Sequence, residues 1–476
     1  MYPRTGAGLV VLVLLRIVTV QAAEPAKSTA EQQVAVEVTV YNSNIGLIKD
    51  VREIQLPEGE GEGELHFMDV ASAIIPETVH VRSVNHPKDF QLLEQNYEYD
   101  LISPQKLLEK YVGKTIKLLT WNQYQDRKEV VEANLLSTNN EPVYRINGEI
   151  HLGNEGRPIL PELPENLFAR PTLSWQYRNQ SRDRHRLEAS YLTNNITWKA
   201  DYVLTLNADD TAADLAGWVT LDNKSGAAYK DAKLKLVAGT IHRAQERPGE
   251  AYYLATRMAR AEADMSQFQE QGFFEYHLYD LQRPTTVKEN QTKQISLLEA
   301  SGVGVKKELL VYGLDTYYTR EYREENPKQP VAVYVSAKNS KDNRLGMPLP
   351  EGIVRTYKQD AAGSLQFVGE DRIKHTPKDE EVRLKIGEAF DVVAERRQTD
   401  FRQLTVHQYE SEWEILVKNH KEEDITVGLI EPMPGSWTVV SSSQPYTKKD
   451  AFTIRFDVPV PKNGEAIVTY RIRVGI

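Results

Sequence analysis

Apolar and polar residues alternate along most of this chain with a period of two. Val34, Val36, Val38 and Val40 share one side of a segment whose other positions are mostly polar, and a second alternating stretch covers residues 48–54. That spacing predicts half-buried strands. The Gly-Glu repeat of residues 59–64 has no apolar side to bury and reads as a solvated turn, and residues 78–84 read as a further strand. The period then changes. Ser103-Pro104 has the form of a helix cap with proline at the first helical position. Leu107, Leu108, Tyr111 and Val112 form one helical face, and Gly113 ends it. Four short strands follow, at 115–120, 129–136, 143–146 and 149–152. Together they suggest a small barrel-like insertion, closed off by the proline-rich residues 157–167.

In residues 197–206, Trp198, Ala200, Tyr202, Leu204 and Leu206 take one face, with Lys199, Asp201 and Thr205 opposite. Residues 207–211 and 222–226 are turns, because Asn and Asp bond their own backbone and tolerate turn geometry. Leu215, Gly217, Val219 and Leu221 lie on the strand between them. Residues 245–271 look helical instead. Leu254, Met258, Ala261, Met265 and Phe268 form a stripe at steps of four and three, a candidate face for docking a partner. From Phe273 onward strands return, marked by Trp413, Ile415 and Val417, by Ile425, Val427 and Leu429, by Phe452, Ile454, Phe456 and Val458, and by the alternation of residues 466–474. The expected fold is therefore all-β, with immunoglobulin-like sandwiches, a short helical insertion and the barrel-like insertion. The segments run 1–22 (leader), 34–103, 104–165, 166–244, 245–271, 272–400 and 401–476.

At 476 residues the chain has length for roughly three domains. Its formal net charge of −10 argues against nucleic acid as a partner, since phosphate neutralisation needs basic patches. The N-terminus has the form of a secretory signal: Arg4, the apolar residues 9–15 (LVVLVLL), then Val20-Gln21-Ala22. Cleavage there removes Arg4 and Arg16 and takes the charge to −12. It leaves no segment long and apolar enough for an integral membrane helix. No cysteine is present, so no disulfide, thiolate ligand or lipidated cysteine is available. Export to the periplasm or the cell exterior is the expected destination.

Catalytic patterns are scarce. YVGKT at 111–115 ends like a phosphate-binding loop, but Leu108 stands where its first glycine belongs. There is no G-x-S-x-G elbow and no H-E-x-x-H helix, and the ten histidines are scattered. No cofactor and no metal is expected. One segment carries chemistry-bearing residues together: Glu370, Asp371, His375, Asp379 and Glu380. Two carboxylates and a histidine could serve a glycan hydrolase or line a glycan-binding pocket, or they could be a charged loop between strands. A weaker candidate is a divalent-ion site at Asp209, Asp210 and Asp214.

Residues 217–239, GWVTLDNKSGAAYKDAKLKLVAG, resemble the strand–turn–strand signature of uncharacterised secreted bacterial β-rich proteins related to mucoidy inhibitor A. The pattern falls on Asn223, Ser225, Gly226, Tyr229 and residues 234–239. The likeness extends through residues 40–57, 93–114, 273–298 and 375–396. It implies an envelope protein containing a domain of unknown function, with no catalytic motif to carry over. The leading expectation is a non-enzymatic binding or scaffolding module whose partner is an envelope protein or polysaccharide. The alternative is a glycan-acting hydrolase or glycan-binding protein that uses the loop from Glu370 to Asp379.

Overall fold

The computed structural model describes residues 25–57, 61–98, 102–122, 127–153, 156–164, 167–239, 268–323 and 328–476. The expected leader and four residues of the stripe (Leu254, Met258, Ala261 and Met265) lie outside them. The described residues are mostly strand, with a single α-helix among them. The chain divides into two compact units, Met1–Ala35 with Lys49–Tyr191, and Val36–Ile48 with Leu192–Ile476.

The first unit holds a sheet ordered Ala26–Ser28, Gly61–Met68, Thr172–Asn179, Phe90–Glu98. Residues 61–68 are thus a strand, where the Gly-Glu repeat suggests a turn. The reason lies across the ladder. Gly63 pairs with Tyr177, and a Cβ on Gly63 would lie 2.6 Å from the tyrosine Oη. The glycine is a seat for a buried ring. The alternating glutamates take the other side, where Glu62 pairs with Arg178 at 2.6 Å and Glu64 accepts from Ser174 at 2.7 Å.

The helix Pro104–Lys110 forms as its sequence suggests. Ser103 Oγ accepts the Lys106 amide, and Gly113 takes the left-handed backbone that ends the element. Leu108 and Tyr111 cover Ile116, Leu118, Leu135 and Tyr144. That core belongs to a five-stranded sheet ordered Glu149–Leu152, Val143–Ile146, Arg127–Ser137, Thr115–Asn122, Arg157–Ile159. Its terminal strands do not pair with each other, so it is an open meander and not the closed barrel expected. The helix covers one face, so burial does not require closure.

The second unit contains two layered β assemblies. In the first, the sheet Gln291–Gly304, Ala212–Asn223, Ile196–Leu206, Gly352–Gln359, Leu365–Ile373 packs on the strands Tyr229–Ala238 and Tyr276–Leu281. The alternation read from residues 197–206 holds: Trp198, Ala200, Tyr202 and Leu204 are buried. Their polar atoms are answered as well, since Trp198 Nε1 donates to the Val237 carbonyl and Tyr202 Oη to the Pro350 carbonyl. Phe268 is buried in the edge strand Phe268–Phe273, not on a helix. In the second assembly a nine-stranded sheet folds over its own core. Trp413, Ile415, Val417 and Tyr470 from one side meet Val427, Leu429 and Phe456 from the other. A small, mostly apolar void of about 30 Å³ lies between Leu204, Leu215, Val303 and Leu384.

The two assemblies share one corner. Asn223 Nδ2 donates to the carbonyl four residues on, Ala227, and to Lys288, while its Oδ1 accepts the amide two residues on, Ser225. Asn419 repeats this with Glu423, Pro461 and the Lys421 amide. Around Asn223, Ser225 Oγ lies 2.9 Å from Tyr229 Oη and the Gly226 amide donates to Glu289. The signature of residues 217–239 is therefore a buried structural turn. Asn223→Ala and Asn419→Ala should each cost about 1–3 kcal/mol, because each buried amide bridges two partly buried carbonyls and a backbone amide that would lose it. Urea denaturation checks this, and losses within the surface-mutation range of about 0.5 kcal/mol would contradict it.

Candidate binding cleft

The strand Ile196–Leu206 sends Lys199, Asp201, Val203 and Thr205 outward. Asp201 lies directly between Trp218 and Ile353 on the neighbouring strands, and Ile353 pairs with Arg372. At one end of this face is a cleft of about 410 Å³ lined by residues that include Asn42, Lys199, Asp201, Asp222, Glu351 and Arg372. Two close approaches shape it. A Cβ on Gly46 would collide with Ile196, which brings the turn after Tyr41 against the sheet. A Cβ on Gly352 would run into the Ala200 carbonyl, so glycine lets Glu351–Ile353 lie tight at the cleft floor.

Most carboxylates here are already committed. Asp201 accepts from Thr220 Oγ1 at 2.9 Å and from Arg355 Nη1 at 3.2 Å, and Lys199 Nζ stands 3.7 Å away. Arg355 also reaches Glu370, 3.3 Å from its Nε. Asp222 is held by Lys224 at 3.0 Å and by Thr292 at 3.2 Å. Further along the same face are exposed aromatic groups: Trp218, and Phe367 packed edge-on to Tyr357 at 5.6 Å.

The segment singled out by sequence borders this cleft but does not converge on it. Glu370 and Asp371 are consecutive in the strand Leu365–Ile373, so they project to opposite faces. Asp371 turns toward the neighbouring strand and accepts the amides of Arg372 at 2.8 Å and Lys385 at 2.7 Å. His375 Nδ1 accepts the Glu351 amide at 3.1 Å. Asp379 sits exposed in a left-handed turn beside Lys378. The four residues form no shared pocket. Adjacency in sequence misleads here because a strand separates neighbours.

The turn acids have separate structural uses. Asp214 Oδ1 accepts the Gly302 amide at 2.8 Å. Asp210 is bridged by two ammonium groups, Lys307 at 2.6 Å and Lys358, so its charge is already answered by two cations that would repel a divalent ion. Among the described residues no three His, Asp or Glu side chains come together as a metal site. Burial alone would raise the Asp210 carboxyl, but the hydrogen bonds from Lys307 and Lys358 outweigh it and hold it below the usual carboxylate range. Its contribution to stability is therefore present above the unfolded value of about 3.9 and is lost as pH falls through the lower folded value. Asp210→Asn should flatten the stability profile below about pH 4. Denaturant midpoints across that range test this, and an unchanged acid limb would contradict it.

Sequence reasoning missed Asn42, Glu351 and Arg372 as cleft residues. They come from distant parts of the chain, and only Asp201 carried a signal, as an acid inside a strand instead of a turn. Set against known families, residues 187–475 match the one described as a domain of unknown function, DUF4139. Every cleft residue named except Asn42 falls within that match. No curated protein matches the chain.

Proposed function

We propose that this chain, which belongs to the DUF4139 family, works by binding and not by turnover, as an exported module of the bacterial envelope. One observation carries the reading. Asp201 and Asp222 are held by internal partners, which leaves Glu351 as the one unpaired carboxylate named in the cleft. Glu370 and Asp371 face opposite ways, so no pair of carboxylates addresses a common point. What remains is a polar cleft beside exposed aromatic groups, which suits recognition. The apolar residues 9–15 and the small residues before position 23 support export to the periplasm or beyond. The resemblance to proteins related to mucoidy inhibitor A supports the envelope as the setting. Among the described residues no helix is long and apolar enough to cross a membrane.

A hydrolase acting on envelope glycans is the competing reading, and the separation of Glu370, Asp371, His375 and Asp379 gives it little support. Co-sedimentation of the purified chain with cell-wall and exopolysaccharide fractions, with assay of the supernatant, separates the two. The expected result is retention on at least one fraction with no sugar or peptide released. Release that disappears in a Glu370→Gln variant would replace binding with catalysis.

A further inference from the structure

Among the described residues, three side-chain groups at this cleft have no partner. Asn42 Oδ1 is buried and accepts no hydrogen bond. The Arg372 guanidinium and the Glu351 carboxylate line the same space and are exposed, and only their backbone amides appear in hydrogen bonds, Arg372's to Asp371 and Glu351's to His375. A cation and an anion thus line one volume, with an unanswered acceptor buried beside it.

We propose that this cleft receives a zwitterionic head group, an ammonium and a carboxylate borne on one carbon. The proposal rests on the reading that the chain works by binding. The ligand's ammonium faces the Glu351 carboxylate. Its carboxylate takes the planar fork of Arg372, the geometry that guanidinium groups match best. Charge complementarity excludes simpler ligands. A purely anionic ligand would meet Asp201, Asp222 and Glu351 against only Lys199 and Arg372. A purely cationic ligand would meet Arg372 and Lys199. A neutral sugar would leave both free charges unanswered. The volume of about 410 Å³ lies within the range of small-molecule sites.

Free amino acids, and short peptides bearing a diamino dicarboxylic acid whose far end keeps its ammonium and carboxylate on one carbon, share this chemistry. Calorimetric titration of the purified chain with each, and with their N-acetylated and carboxamide forms, distinguishes the sources. The expected result is binding by the zwitterionic forms and loss of at least tenfold when either charge is blocked. Arg372→Ala and Glu351→Gln should each weaken binding by about tenfold, equivalent to about 1.4 kcal/mol, with unchanged thermal unfolding because both side chains are exposed. Equal binding of the blocked and zwitterionic forms would overturn the assignment. If no such compound binds while envelope fractions still retain the chain, the head-group assignment falls and the binding reading stands. If the compound binds and is chemically altered, the cleft assignment stands and the non-enzymatic reading falls.

Discussion

Replacing Glu431 by alanine is expected to lower the stability of the second unit by about 3–5 kcal/mol, the largest single-residue effect in the C-terminal assembly. Glu431 and Arg396 are buried in its core and paired through both oxygens, at 2.6 and 2.9 Å. Tyr318 and Tyr470 donate to the same carboxylate at 2.6 and 3.0 Å, and Arg396 Nε donates to Gln329 at 3.1 Å. The guanidinium also lies over the Tyr317 ring. Burial alone would favour losing the Arg396 charge, yet the Glu431 charge beside it outweighs that and holds its pKa above the ordinary value. Burial and the same carboxylate push Tyr318 and Tyr470 up. Without Glu431 a full positive charge would remain in a dry core, with two hydroxyls left short of an acceptor. Urea denaturation of Glu431→Ala measures the cost, and an Arg396→Met/Glu431→Leu pair should recover much of it, because apolar groups need no answering charge. A loss below about 1 kcal/mol for the single change would mean that water reaches the network.

The second large effect belongs to the first unit. Arg52→Met should destabilise it by about 3–5 kcal/mol, because Asp50 then stays buried without its cation. Arg52 Nε and Nη2 donate to Asp50 Oδ2 at 3.1 and 2.8 Å, and Nη1 donates to the Ser28 carbonyl at 3.0 Å. The guanidinium stacks over the Phe67 ring, 3.6 Å from its centroid. Asp50 Oδ1 has no hydrogen-bond partner among the described residues, so the site already carries one uncompensated atom. Asp50→Leu in the Arg52→Met background should restore most of the loss. Denaturation, with amide exchange of the strand Thr172–Asn179 as a local report, tests both variants. A double variant no more stable than Arg52→Met would show that packing against Phe67, and not the stranded charge, sets the cost.

These two ion pairs mark where the sequence is hard to read. Period-two alternation exposes the faces of residues 197–206 and 413–417 because every inward position there is apolar or aromatic. In residues 48–54 the inward positions are Ile48, Asp50, Arg52 and Ile54, and the charges in the middle mimic an outward face. Glu431 and Arg396 are separated by a long stretch of chain, and neither has a local feature that distinguishes it from a surface charge. The Gly-Glu repeat misleads for the opposite reason, since its glycines make room for Tyr177 on a strand not yet read. The helix of residues 104–110 was legible because its cap, proline and stop are all local. The cleft was not, because Asn42, Asp201, Glu351 and Arg372 meet only through sheet pairing and one tight turn.

Ligand contact is expected at the cleft between Asn42, Asp201, Glu351 and Arg372. Hydrogen–deuterium exchange of the chain, with and without the soluble envelope fraction that retains it, tests that most directly. Protection is expected in residues 196–206 and 351–373, and Arg372→Ala should remove it. Protection confined to the first unit, or unaffected by Arg372→Ala, would contradict the account.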